Sequence, residues 1–74
     1  MSDYRTYTHE IHTDYGDGFV RVASHSDLSG AIVQAEHRFI NTSCLAVIIK
    51  RSDSPLQISK DSDGKVLEWR RHRL

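Results

Sequence analysis

Apolar and polar positions fall along this chain in two distinct rhythms, one continuous block and several pairwise alternations. From Leu28 the apolar residues recur at Ala31, Ile32, Ala35, Phe39 and Ile40, the spacing of one stripe on a helix of 3.6 residues per turn. Ser29, Gln34, His37 and Arg38 lie off that stripe. Ser24 and Asp27 are spaced as a capping box, or Ser26 acts as a simple N-cap, and Asn41 is a plausible stop. The spacing therefore predicts one amphipathic helix.

Strands are predicted on either side of it. Tyr4-Arg5-Thr6-Tyr7-Thr8-His9-Glu10-Ile11 is rich in Thr and Tyr, and Phe19-Val20-Arg21-Val22-Ala23 follows the turn residues Asp14-Tyr15-Gly16-Asp17-Gly18. Together they read as a β-hairpin with a long loop. After the helix comes Cys44-Leu45-Ala46-Val47-Ile48-Ile49, six apolar residues in a row. Leu56-Gln57-Ile58-Ser59 then alternates as a half-buried strand. Asp61-Ser62-Asp63-Gly64 is a hairpin turn with glycine where positive φ is needed, and Val66 to Arg71 is the last strand. The expectation is an α+β domain over residues 1–74, ordered ββαβββ, with one antiparallel sheet and a single helix on one face.

The continuous block raises the functional question. A strand apolar on both faces needs cover on both, and one helix covers one. With Val20, Val22, Leu56 and Ile58 closing a core under Leu28, Ile32, Ala35 and Phe39, half of the block faces the helix. That half is either Cys44, Ala46 and Ile48 or Leu45, Val47 and Ile49. If the second set faces outward, an aliphatic strip sits on the open sheet beside Phe19 and Arg21, in the form of an interface core with a polar rim. A second copy of the chain or a protein partner would cover it, and a homodimer is the simplest expectation.

Composition narrows the alternatives. Seventy-four residues sit near the size at which one core is only marginally self-sufficient. Cys44 is the only cysteine, which excludes an intrachain disulfide and a thiolate metal cluster. No apolar run approaches a membrane span and the polar start lacks a signal-peptide core, so a cytoplasmic, non-membrane protein is expected. Net charge is zero, yet residues 1–37 hold two basic and six acidic residues while 38–74 hold eight and four. The basic end, Trp69-Arg70-Arg71-His72-Arg73, joins tryptophan to three guanidinium groups. That chemistry suits a protein hot spot or, as the alternative, a nucleic-acid contact.

Catalytic and metal motifs fail on spacing. His9 and His12, three apart on a strand, point to opposite faces. The turn at Asp61–Gly64 would put Arg70 where a calcium loop needs a bidentate Glu. Asp14–Gly18 has no phosphate-loop lysine. Serines, histidines and Cys44 are present without any pattern that sets a nucleophile beside a base. The sequence thus predicts no catalytic, cofactor or metal residues. It predicts a non-enzymatic interaction module whose contact residues are Leu45, Val47, Ile49, Phe19, Arg21, Trp69, Arg70, Arg71 and Arg73.

From Val20 onward, the strand, the Ser-capped helix with Ala31 and Ala35, the apolar strand and the hairpin carrying Asp63-Gly64-Lys65 and then Trp69 form one layout. It resembles small phage- and prophage-encoded orphan proteins, including some type I-F anti-CRISPR inhibitors. The resemblance implies an inhibitor that acts by surface contact with a host protein complex.

Overall fold

A computed structural model of the chain describes residues 7–71. Four strands and one helix run in the order β1 (His9–Asp14), β2 (Phe19–His25), α1 (Leu28–Asn41), β3 (Ala46–Arg51) and β4 (Glu68–Arg70). The strands form one sheet in the order β2-β1-β3-β4, with every neighbouring pair antiparallel. A single antiparallel sheet carrying one helix is the α+β class expected from the sequence. The expected fifth strand is absent among the described residues. Ile58 and Val66 make only isolated bridges, to Lys50 and Lys60, and a turn closed by Gln57 N–H donating to the Ser54 carbonyl precedes them.

β1 runs three residues past the expected end at Ile11, and Tyr4, Arg5 and Thr6 of the expected strand lie outside the described residues. Asp14 ends β1, and its carboxylate accepts the Gly16 and Gly18 backbone N–H groups at 2.7 and 3.1 Å. Both glycines have positive φ, 121° and 98°, which side-chain-bearing residues rarely adopt. In β2 the register slips between Ile11 and His12: Ile11 faces Ala23 while His12 faces Arg21. Val22 is therefore the extra residue of a β-bulge. At the far hairpin, Gly64 has φ 81° and the Asp61 carboxylate accepts from the N–H groups of Asp63 and Lys65.

Asp27 is the N-cap of α1, its carboxylate accepting from the Gly30 N–H at 2.9 Å. At the other end the Thr42 hydroxyl donates to the Arg38 carbonyl at 2.7 Å, so the helix closes on Thr42 without a left-handed residue. The helix sets down Ala31 and Ala35, both fully buried, with Leu28, Ile32 and Phe39 beside them. Its two small residues let the helix lie close to the sheet. Ile40, expected on that stripe, is 75% exposed, and so is most of Val33.

The core on this side holds Ile11, Val47, Ile49, Cys44 and Leu67, with Val22, Ala23 and Trp69 partly buried against it. Val20 and Leu56, expected in the core, are 62% and 95% exposed. Val20 stands at the distal end of the hairpin opposite Thr13, and Leu56 sits in the turn that replaces the expected strand. Thr13 itself is buried, and its hydroxyl has no hydrogen-bond partner among the described residues. Replacing it with valine should raise stability by about 1 kcal/mol, because an unsatisfied buried hydroxyl gives way to a methyl of similar shape. A denaturant midpoint that falls instead would show that the hydroxyl is bonded.

Candidate functional site

The register decides which side of each strand meets the helix. Ile11 pairs with Ile49, Thr13 with Val47, and Val47 with Trp69, and these residues face α1. Successive side chains alternate, so the uncovered face carries Glu10, His12 and Asp14 of β1, Ala46, Ile48 and Lys50 of β3, and Glu68 and Arg70 of β4. Arg21 and Phe19 of β2 join them opposite His12 and Asp14. The expected aliphatic strip is thereby corrected. Val47 and Ile49 are fully buried under the helix, and Leu45 lies before the strand, its N–H donating to the Asp14 carbonyl and its own carbonyl accepting from Arg71 N–H.

The half of the block that does face outward is Ala46 and Ile48, and each is only 2% exposed. Ile48 lies between His12 and Glu68, and Ala46 between Asp14 and Arg70. The aliphatic part of this face is already covered within one copy of the chain. Its surface is a mosaic of charges. Glu10 accepts from Arg21 at 3.3 Å and meets His12 Nε2 at 3.2 Å, while Arg70 donates to Glu68 at 2.8 Å. Arg70 also reaches to 5.9 Å from the Phe19 ring centroid, across the whole width of the sheet. Arg21 and Arg70 remain more than half exposed, whereas Glu10 and His12 are largely covered.

The basic end is divided between packing and surface. Trp69 is half-buried against the helix-side core. Arg71 Nε donates to the Cys44 carbonyl at 2.7 Å, and its Nη2 donates to the Thr42 carbonyl at 2.8 Å and to the Phe39 carbonyl. The guanidinium also lies 4.3 Å from the Phe39 ring centroid. Arg71, expected at a partner contact, is a clasp that ties the end of β4 to the end of α1. Of the described residues of this cluster only Arg70 projects onto the open face, and His72 and Arg73 lie outside the described residues. The clasp was not legible as such, because nothing in Trp69-Arg70-Arg71 distinguishes an arginine that points at a helix end from one that points at solvent.

His9 and His12 stand on opposite faces of β1, and no three His, Cys, Asp or Glu side chains among the described residues are grouped to hold a metal ion. Cys44 is fully buried. No helix among the described residues is long and apolar enough to cross a membrane. The fold and face together define a small α+β domain whose sheet, among the described residues, carries a charged face that the helix does not cover. Comparison of the chain with protein-family models, curated proteins and solved structures gives no match.

Proposed function

We propose that this protein is a non-catalytic binding module that docks a protein partner on its open sheet face. The observation that carries the reading is the uncovered face itself. Glu10, Asp14, Arg21, Lys50, Glu68 and Arg70 lie on it with Phe19 at its edge, and the helix packs on the other side. Mixed charges on a sheet face favour electrostatic steering and register over raw affinity. An inhibitor of a host complex, the role that the resemblance to small phage-type proteins implies, is one member of this class.

Size sets the strength of the contact. Strands about 4.8 Å apart and about six residues long give a face of roughly 400 Å² in projection. A stable interface takes about 800 Å² from each side. The sheet alone therefore supports a weak or transient complex, and this holds equally for a partner and for a second copy.

A photo-crosslinking residue replacing Arg21, compared with one replacing Ser29 on the exposed side of the helix, tests the reading in cells that express the chain. A discrete adduct from position 21 that fades in high salt and is missing from position 29 is expected. Equal labelling from both positions, or adducts destroyed by nuclease, would overturn it. An adduct of twice the chain mass would replace the partner with self-association.

A further inference from the structure

At the end of the sheet away from the hairpin tip, three basic side chains stand in one row across three strands. His9 opens β1, and in the register it faces His25 of β2 on one side and Arg51 of β3 on the other. Directly opposed residues of antiparallel strands share a face, so all three lie on the helix side. The middle member is the buried one. His9 is 8% exposed, while His25 and Arg51 are half-buried and Arg51 grips Asp53 at 2.9 and 2.7 Å. The Tyr7 ring meets the imidazole edge-on at 5.4 Å between centroids and carries the Arg51 guanidinium 3.7 Å from its own centroid. Leu28, at the start of α1, and Ile58 line the cleft beside His9.

The site admits His9 only as a neutral ring. Its Nδ1 is sealed from solvent and has no hydrogen-bond partner among the described residues. In the neutral ring that nitrogen stands as a bare acceptor, with the proton on Nε2. In imidazolium both nitrogens are donors, so a charged N–H would be buried with nothing to receive it. Electrostatics push the same way. Burial, then the charge of Arg51, lowers the His9 pKa from its ordinary 6.5, while Asp27 and Asp53 oppose the shift. His25 faces the ring from β2, and Lys60 and Asp61 bring opposite charges to the cleft from segment 54–62. Glu10 and His12 meet on the other face of β1. The flanking segments are tied to this end by local bonds. Ser52 N–H donates to the Thr8 carbonyl and Thr8 N–H to the Ser52 hydroxyl, both at 2.9 Å, and Ser59 N–H donates to the Ile49 carbonyl at 2.8 Å.

We propose that this end of the fold is an acid-operated latch, closed around a neutral His9 and opened when His9 takes up a proton and must reach water. The core beneath Ala31 and Ala35 stays folded through the change. In the open form the ring lies in water and binds a proton more readily than in the closed form. The closed form therefore has its full stability above pH 6.5 and loses it as the pH falls below that value. One proton taken up on opening makes the open fraction grow by up to about tenfold per pH unit. Mild acid thereby bares Leu28 and Ile58 without unfolding the domain.

Amide hydrogen exchange of the full chain between about pH 7.5 and 5.5, above the ordinary carboxylate range, tests the latch. After correction for the intrinsic pH dependence of exchange, protection at Ser52 and Ser59 should fall by about five- to tenfold. Protection at Leu45, whose N–H donates to the Asp14 carbonyl at the far end of the sheet, should change by less than about twofold. His9→Gln and His9→Phe should each flatten the response at Ser52 and Ser59. His37→Gln, on the exposed side of the helix, should leave it intact. In the unaltered chain the His9 imidazole, followed by NMR, should titrate below 6.5. A response under about twofold at Ser59, or one that survives both His9 variants, overturns the proposal. An equal loss at Leu45 would make the transition global unfolding and also overturn it, as would a His9 ring that titrates at its ordinary value.

Discussion

Val47→Asp should abolish the fold. Val47 is fully buried at the centre of the sheet, between Thr13 and Trp69 in the register and facing Ala31 and Ala35. A carboxylate there meets no cation among the core residues and at most the Thr13 hydroxyl as a donor, so it must be buried charged or protonated, at a cost of about 4–5 kcal/mol or more. A domain of this length has only about 4–11 kcal/mol of total stability, so the expected result is loss of amide dispersion and of cooperative melting. Leu56→Asp is the matched control. Leu56 is 95% exposed, and the same change there should alter stability by no more than about 0.5 kcal/mol. A well-dispersed Val47→Asp spectrum would mean that the strand faces the other way.

The second large effect is expected at Arg71. Its guanidinium serves the carbonyls of Phe39, Thr42 and Cys44, including one near the end of α1 that has no partner within the helix. Arg71→Ala removes all three donors and the contact over the Phe39 ring. Solvent reaches part of this site and can replace some of what is lost, so the expected cost is about 2–3 kcal/mol. In a domain this small, that lowers the melting temperature by on the order of 10–20 °C. Arg71→Lys should recover only a fraction, since a single ammonium cannot reproduce a planar fork spanning three acceptors. Full recovery by lysine would reduce the clasp to simple charge, and an unchanged melting temperature in Arg71→Ala would remove it altogether.

What could be read from the residues and what could not divide along physical lines. The helix was legible because Leu28, Ala31, Ile32, Ala35 and Phe39 repeat a period that only a helix can bury on one side. Ile40 was misplaced although the arithmetic was available: twelve residues beyond Leu28, at about 100° each, it lands about 120° around the axis. Both glycine turns were legible because Asp14 and Asp61 carry the carboxylates that fold them. The faces of residues 44–49 were not, since a run with no polar residue has no alternation to read. Cys44 joins Val47 in the core because the strand begins only at Ala46, and a parity carried through from Cys44 therefore fails. Leu56 and Ile58 alternate like a strand, yet Pro55 and the turn at Ser54 leave too few paired backbone groups to make one. The charged open face was present in the sequence as single letters, and it became a surface only once β1 was seen to lie between β2 and β3.

The bulge at Val22 bears on how the chain behaves in crowded company. The outer margin of β2 is seven residues long and faces no further strand among the described residues, while the opposite margin, β4, is only three. A long straight margin would be a template on which successive molecules could stack into fibres. The extra residue sharpens the local twist and breaks the regular ladder midway along that margin. With a kinked border on one side and a stub on the other, the described sheet offers copies no long regular edge on which to extend a ribbon.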